Sequence, residues 1–378
     1  MSGGLRLRLW LLADAAAPHT RRWALWFARR GHDVHVVTFN PAALPGYGAV
    51  AVHRIWTPRF GNRPFERLWK APLLLARIAR LRRQFPPDVA HAHSVGGYAW
   101  LTDAARLEPF AATPWGTDLL HDIRESRFNR WLTTRALRRA ALVTTDGFHF
   151  LTILGQLGVR RDRILLHMFG TDVSHYSPGA DEGERARLGA GDAPIVISTR
   201  TPNPVHDVET FVRAVPGVLA RFPRAVFVIV GDGAQKLELQ SLVGTLGVTR
   251  SVRFTGMVEE DRMRTLLRAA DVYVSTSLMD AGLAGSTAEA MATGLPVVQT
   301  DNSDNARWAP EGEGSLLVPN SNPGAVTDAI CRLLGDADLR AAMGRRNRAI
   351  VEERYNMDTE LARVESAYME LASGAGAR

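Results

Sequence analysis

The chain has one cysteine, Cys331, in 378 residues, so no disulfide can form within it and a scaffold stapled by bridges is excluded. A reducing cytosol is the compartment this usage predicts. No apolar run approaches the ~20 residues needed to span a bilayer. The first apolar segment, Leu5–Leu12, carries Arg6 and Arg8 in alternation, as a strand does and a secretory h-region does not. Lysine is almost missing: Lys70 and Lys236 are the only two among 46 basic residues, leaving 44 arginines. Acidic residues are scarce in the first half. Residues 1–180 hold 25 Arg and Lys against 12 Asp and Glu, or +13, and the remainder holds 21 against 27, or −6, which together give the net +7. That asymmetry points to an anionic partner for the first half.

What is present describes a globular protein, 46% hydrophobic and 22% charged. Its length exceeds what one core fills, so two domains are expected. Short apolar runs alternate with amphipathic helical stretches. In the first half Leu5–Leu12, Asp33–Phe39, Asp88–His93, Phe110–Thr113, Leu142–Thr145 and Ile164–Met168 read as strands, with a helix over Thr20–Arg30 closed by Gly31. Ile195–Thr199, Ala225–Gly231, Val252–Thr255, Val272–Thr276, Pro296–Thr300 and Leu316–Val318 repeat the habit in the second half. Short apolar strands separated by helices predict an α/β fold with parallel sheets covered on both faces. Ser177–Asp192 is polar and rich in Gly and Ala, and reads as a linker. The expected organisation is a domain over 1–176, the linker 177–192, a second domain over 193–355, and a C-terminal helical segment 356–378 with the first domain as its candidate docking surface. Two doubly wound, Rossmann-like domains of this kind turn the ligand loops at their strand ends toward one central cleft.

The stretch Asp280–Val298, DAGLAGSTAEAMATGLPVV, is the most informative in the chain. Small residues, Ala281, Gly282, Ala284 and Gly285, follow a strand-like run and lead into a short helix over Ser286–Thr293, stopped by Gly294 and Pro296. One reading makes this an anion site: N–H groups at the positive end of the helix meet a phosphate, and Glu289 accepts bonds from the hydroxyls of an attached sugar. The other makes Ser286 and Glu289 a capping box that serves only the helix. Local sequence leaves both open.

Beyond this stretch the chain resembles the family 4 glycosyltransferases of the GT-B fold over nearly its full length. The match is carried by Glu289-Ala-Met-Ala-Thr-Gly-Leu-Pro-Val-Val298 and Glu313-Gly-Ser-Leu-Leu-Val-Pro319. Val228-Ile-Val-Gly-Asp-Gly233, Val252-Arg-Phe-Thr-Gly256 and Ala270-Asp-Val-Tyr-Val274 support it, as do Arg30-Gly-His-Asp-Val34, His91-Ala-His93 and Trp115-Gly-Thr-Asp118. Each alone is weak; their order and spacing together are specific. The resemblance implies that Glu289 binds ribose hydroxyls and that the amides of Gly282, Leu283, Ala284, Gly285 and Ser286 meet a diphosphate. It implies that the backbone at Gly231, Met257 and Val258 lies along the nucleotide, and that Arg200 grips the diphosphate. The reaction it implies is transfer of a sugar from a UDP- or GDP-sugar to an acceptor hydroxyl with retained anomeric configuration. No metal or other cofactor is expected: a guanidinium and helix-terminal amides would stabilise the departing diphosphate.

The chain departs from the family pattern at several places. The first glutamate of the family's pair falls on Ala281, with Asp280 beside it as the candidate to reach the donor sugar. The lysine expected shortly after Arg200 is missing, and His206 within Thr201–Asp207 is the one cation candidate there. The family's His-Gly pair is Trp115-Gly116, with Asp118, His121 and Asp122 nearby. Arg200, Asp280, Asp118 and His91 are therefore the candidate catalytic residues, with His93 a further candidate at the same strand end. Asp14, His19 and Trp115 are the candidates on the acceptor side. His167 and His175 are assigned no role.

Residues His53–Arg83 carry nine positive charges and one negative, interleaved with Trp56, Phe60, Phe65 and Trp69. An anionic membrane surface attracts such a stretch; a solvated helix face whose aromatics pack inward carries the same pattern. No nucleic-acid motif is present. The expected partners are a nucleotide-sugar, a carbohydrate or lipid-linked acceptor in glycan, glycolipid or polysaccharide biosynthesis, and the cytoplasmic face of a membrane. Two alternatives share the fold: a protein that binds a nucleotide-sugar or glycan without turnover, and a nucleotide-sugar epimerase.

Overall fold

The computed structural model describes residues 5–39, 46–55, 64–116, 118, 119, 123, 126–280, 282–302 and 304–374, with backbone alone for 64–70. Ala281, His121 and Asp122, and the stretch with Trp56 and Phe60, lie outside the described residues, as do the side chains of Phe65 and Trp69.

By its contacts the chain divides into two units, one of residues 1–167 with 361–378 and one of 168–360. The first holds β1 (Arg8–Leu12), β2 (Asp33–Thr38), β3 (Ala51–Arg54), β4 (Val89–His93), β5 (Phe110–Thr113), β6 (Leu142–Thr145) and β7 (Ile164–Leu166), in the sheet order β3-β2-β1-β4-β5-β6-β7. The second holds β8 (Ile195–Ser198), β9 (Val226–Val230), β10 (Val252–Gly256), β11 (Val272–Ser275), β12 (Val297–Thr300) and β13 (Ser315–Val318), in the order β10-β9-β8-β11-β12-β13. Every pairing is parallel. Both sheets are doubly wound: the chain starts in the middle, builds outward one way, then returns to build the other.

The inner strands are short, apolar and buried on both faces, which is why they read as continuous hydrophobic runs. The strand β3 lacks that signature. It pairs only with β2, at the sheet edge, and its sequence AVHR is half polar. The first helix runs Pro18–Arg29, two residues earlier than its periodicity suggests, because Pro18 occupies the first turn where no N–H is needed. Gly31 follows at φ +94°, a left-handed conformation that glycine adopts without strain.

The polar segment 177–192 is no linker but part of the second unit. Glu184 within it is fully buried between Arg187 and Arg262, at 2.8 and 3.0 Å. Arg268 donates to the Ser177 carbonyl at 2.8 Å, and Arg185 donates to the carbonyls of Ala269 and Ala193 at 2.5 and 2.6 Å. Arginines satisfy its backbone, so a composition typical of linkers is packed. The chain passes between units at 167/168 and 360/361 instead.

The last helix, Met357–Ala372, contributes Glu365 and Tyr368 to the first unit. Glu365 pairs with Arg30 at 2.7 Å and His32 at 2.8 Å, and the Tyr368 hydroxyl bonds His91 Nδ1. His91 also bonds Thr113 Oγ1 through Nε2 at 2.6 Å. Around it pack Trp23, His93 and His167, with ring centroids of Trp23 and His93 4.6 Å apart. Burial, and then the neighbouring His167, push the His91 imidazole down to about 3. Burial also pushes the His93 imidazole well below the ordinary histidine range, reinforced by His91, His19 and His167.

These histidines are neutral when folded and titrate near 6.5 when unfolded, so the unfolded chain takes up protons that the folded one refuses. The first unit therefore has its full stability above pH 6.5 and loses roughly 1.4 kcal/mol per pH unit for each such histidine as pH falls toward the folded value. Urea titrations at pH 7, 6 and 5 followed by tryptophan fluorescence should show a falling midpoint. An unchanged midpoint over that range would mean that the imidazoles are not held neutral.

Candidate functional site

In a doubly wound sheet the ligand crevice opens at the carboxyl ends of the two strands where the order reverses. In the second unit those strands are β8 and β11. Arg200 follows β8 by two residues, and Ser277 and Asp280 follow β11. The Arg200 guanidinium crosses the gap between the two strand ends. Its Nε donates to Ser277 Oγ at 2.9 Å, Nη1 to Ser286 Oγ at 3.2 Å and Nη2 to Asp280 Oδ1 at 2.5 Å. The side chains of Arg200 and Asp280 are only 11% and 6% exposed, so the pair is shielded from water. Ser277 is itself fixed, its carbonyl accepting from Thr300 Oγ1 at 2.5 Å and Asn302 Nδ2 at 2.6 Å. A guanidinium has five N–H groups. Three are engaged here, and two remain for an incoming anion.

The helix after β11 runs Gly285–Ala292 with Ala284 at its N-cap, and no side chain caps it. This removes the capping-box reading: Ser286 is the second helical residue rather than the cap, and Glu289 lies in the second turn. The first intrahelical bond is Ala288 N–H to the Ala284 carbonyl at 3.0 Å. The N–H groups of Gly285, Ser286 and Thr287 thus lie ahead of the ladder, beside the Arg200 side chain. Ser286 Oγ also accepts from the hydroxyl of Tyr273 at 3.1 Å, which in turn accepts from Thr199 Oγ1 at 3.3 Å. Gly282, Leu283 and Glu289 are buried.

A second close approach lies on the other side of β8. Gly231 sits at φ +116°, and its N–H donates to the Gly256 carbonyl at 2.9 Å, which places Met257 and Val258 next to it in the chain. A Cβ on Gly233 would stand 2.2 Å from the Pro202 carbonyl oxygen, so the loop after β9 and the loop after β8 touch through backbone. Met257 is 74% exposed, a large apolar side chain with nothing covering it. His206 Nδ1 donates to the Thr201 carbonyl at 2.8 Å. Burial, and then the Arg200 charge, lower its imidazole below the ordinary histidine range. It is therefore neutral at physiological pH and does not replace the missing lysine. Lys236, which the sequence reading passed over, is a cation on this side, paired with Asp232 at 3.1 Å. Its signal was available: it is one of two lysines in the chain and follows the glycine loop directly.

In the first unit the order reverses between β1 and β4. Asp14 follows β1, is exposed, and its Oδ1 accepts from the Ala16 N–H at 2.9 Å. His19 stacks on Trp115 with ring centroids 3.7 Å apart. Burial, then the Arg22 charge, push its imidazole down to about 4, against the pull of Asp14. Two candidates here have other work. Asp118 is buried, and its oxygens accept from the Val95 N–H at 2.7 Å and the Trp115 N–H at 2.9 Å, tying together the loops after β4 and β5. His91 is enclosed with both nitrogens engaged, so in this structure it serves packing. The structure thus brings Arg200, Asp280 and Ser286 into one bonded set, joins Gly231 to the Met257 loop, and groups Asp14, His19 and Trp115 separately in the first unit. Among the described residues no group of three or more His, Cys, Asp or Glu could hold a metal ion.

Comparison with known proteins bears on this arrangement. A family described as "Glycosyl transferases group 1" matches residues 193–336, and one described as "Glycosyl transferase 4-like" matches 8–147. The D-inositol 3-phosphate glycosyltransferase of Nocardia farcinica is 33% identical over 356 residues, covering 86% of this chain and 78% of that protein. A GDP-mannose-dependent alpha-(1-6)-phosphatidylinositol monomannoside mannosyltransferase of Mycobacterium tuberculosis is 30% identical over 200 residues, covering 51% of this chain and 52% of that protein. Among solved structures, the sucrose-phosphate synthase of Thermosynechococcus elongatus superposes with a TM-score of 0.82 at 20% identity, over 98% of this chain and 100% of that one. HepE of Anabaena, in complex with UDP and glucose, superposes with a TM-score of 0.80 at 20% identity, over 97% and 100%. These two likenesses establish the fold.

The shielded ion pair makes its own prediction. Arg200→Gln leaves the Asp280 carboxylate buried without its cation, and should cost about 3 kcal/mol of stability in the second unit. Asp280→Asn, which retains a hydrogen-bonding oxygen, should cost less. Thermal melts of both variants check this; equal melting of Arg200→Gln and the parent protein would show that the pair is not closed in solution.

Proposed function

The chain belongs to the family 4 glycosyltransferases of the GT-B fold, and on that footing we propose that it moves a sugar from a nucleoside diphosphate sugar to an acceptor hydroxyl with retention of anomeric configuration. The observation that carries the reading is the Arg200 guanidinium, fixed at the switch point of the second unit beside uncapped helix amides. As the glycosidic bond breaks, negative charge grows on the departing diphosphate. A cation and dipoles already in place stabilise that charge without reorganising. Glu289 takes the ribose hydroxyls, and the loops at Gly231 and Met257 take the base through backbone.

Retention fits the chemistry of Asp280. Its carboxylate is held by Arg200 at 2.5 Å and is weakened as a nucleophile by that bond. The reading that follows is a front-face process in which the leaving diphosphate itself helps to deprotonate the acceptor. Asp280, placed one residue before the family's usual glutamate, orients the donor sugar. Transfer is proposed to be metal-independent, because the groups gathered at the diphosphate position are a guanidinium and N–H donors, which attract an anion and repel a cation. Activity should then survive an excess of EDTA. Asp14, His19 and Trp115 are proposed for the acceptor, with an indole face of the kind that sugar rings pack against.

Relatives by name act on phosphatidylinositol mannosides and on inositol phosphate, and we place the acceptor of this chain in the same class of phosphorylated polyol or lipid-linked sugar. No helix among the described residues is long and apolar enough to cross a membrane. A membrane-bound acceptor would then be reached from the surface. The helix Arg127–Arg139 suits that: it has five arginines, no acidic residue, and an exposed Trp131 between Arg127, Arg130, Arg135 and Arg138 on one face. Arginines with an interfacial tryptophan are what an anionic leaflet binds.

Two measurements test the proposal. Glu289→Ala should weaken nucleoside diphosphate affinity about tenfold, as loss of a charge-assisted hydrogen bond does, and a melting curve of the same variant separates that loss from any change in stability. Unchanged affinity by calorimetry would remove the ribose assignment. Binding without release of nucleotide in the presence of acceptor would favour the non-catalytic alternative. Separately, vesicle pelleting should rise with anionic lipid content, fall with salt, and be lost in Arg127→Glu/Trp131→Ala; pelleting indifferent to lipid charge would sink the membrane reading.

A further inference from the structure

Tyr273 is fully buried in the middle of β11, flanked by β8 and β12, where the neighbouring positions Val272, Val274, Val297 and Ile197 are aliphatic. A phenylalanine would fill the same space. Burying a phenol hydroxyl there is unfavourable unless it is bonded, and the bonds it makes lead to the donor site. Thr199 Oγ1 donates to Tyr273 Oη at 3.3 Å, and Tyr273 Oη donates to Ser286 Oγ at 3.1 Å. Arg200 Nη1, which can only donate, reaches the same Ser286 oxygen at 3.2 Å.

A serine hydroxyl has two lone pairs and one proton. Both lone pairs of Ser286 are occupied, one by Arg200 and one by Tyr273. Its proton has no acceptor among the protein groups bonded to it, and the oxygen can no longer accept from anything that arrives. We propose that Tyr273 is a positioning residue that makes Ser286 an obligate hydrogen-bond donor to the diphosphate of the donor substrate. The inference rests on the donor-site reading above and deepens it.

Two consequences follow from the placement of Ser286 as the second residue of its helix. Its backbone N–H lies ahead of the helical ladder, so one residue offers two donors, N–H and O–H, to one anion. The relay also polarises that proton: each donor in the chain from Thr199 through Tyr273 strengthens the next, and the cationic Arg200 draws density from the same oxygen. Without the Tyr273 hydroxyl, Ser286 regains a free lone pair and can turn its proton elsewhere. Tyr273 touches no ligand in this scheme; it acts through Ser286.

The test is calorimetry with uridine and guanosine diphosphates, the matching nucleosides and inorganic pyrophosphate on Tyr273→Phe, Ser286→Ala and the double variant. Tyr273→Phe should weaken the diphosphates and pyrophosphate about five- to tenfold, the usual worth of one hydrogen bond, and leave nucleoside binding and the melting temperature near those of the parent. In the Ser286→Ala background the tyrosine change should have no further effect, and Ser286→Thr, which keeps the hydroxyl, should restore affinity. Equal diphosphate affinity in Tyr273→Phe, or losses that simply add in the double variant, would overturn the positioning role while leaving the donor site standing. A parent protein that bound neither diphosphates nor pyrophosphate would remove both.

Discussion

One guanidinium organises the second unit. Arg200 is nearly enclosed, and a shielded cation must spend its N–H groups on oxygens that geometry brings to it. The oxygens come from three places far apart in sequence: the end of β11, the loop beyond it, and the first turn of the following helix. Two of these acceptor residues are tied down again, Ser277 by Thr300 and Asn302, Ser286 by Tyr273. The crevice at the switch point is thereby held in shape before any ligand enters. An isolated buried ion pair is weak evidence for stability. This one is better understood as preorganisation, with two N–H groups and a serine proton left unspent on the side where an anion would sit.

The first unit solves the matching problem without charge. Around Trp23 it gathers neutral imidazoles, an indole and hydroxyls, and Asp118, a buried anion near its switch-point loops, places both oxygens on backbone N–H groups. The contrast suits the two tasks proposed for them. A departing diphosphate needs fixed positive potential, whereas a polyol acceptor needs faces and hydroxyl partners.

Much of the fold was legible because burial on two faces forces a simple pattern. Every inner strand announced itself as an apolar run, and Gly31 and Gly294 marked helix ends. The edge strand β3 did not, since half of its surface needs no apolar cover. Segment 177–192 misled for a related reason: the arginines that pack it, Arg262 and Arg268, lie some eighty residues away, beyond what local composition can report. At the site, Arg200, Asp280 and Ser286 were legible as candidates because each follows a strand or begins a helix at the crevice, and the structure bonds the three together. The capping box failed by a shift of two residues in the helix start, which pattern reading does not resolve. His91 looked available because it lies near the end of β4, and Asp118 because it follows the Trp115-Gly116 pair in the loop after β5. Whether such a side chain turns inward or outward is decided by partners such as Tyr368 and Val95, from other parts of the chain.

The scarcity of lysine acquires a use once its surroundings are known. Lys236 is the only lysine of the second unit, partly exposed, and sits beside the glycine loops flanking the nucleotide position. The other lysine of the sequence, Lys70, belongs to the first unit. Within the second unit, amine-directed chemistry therefore has a single lysine to find. In that unit a fluorophore or cross-linker introduced that way would stand at one known point, beside the loop at Gly256, with no engineered cysteine required.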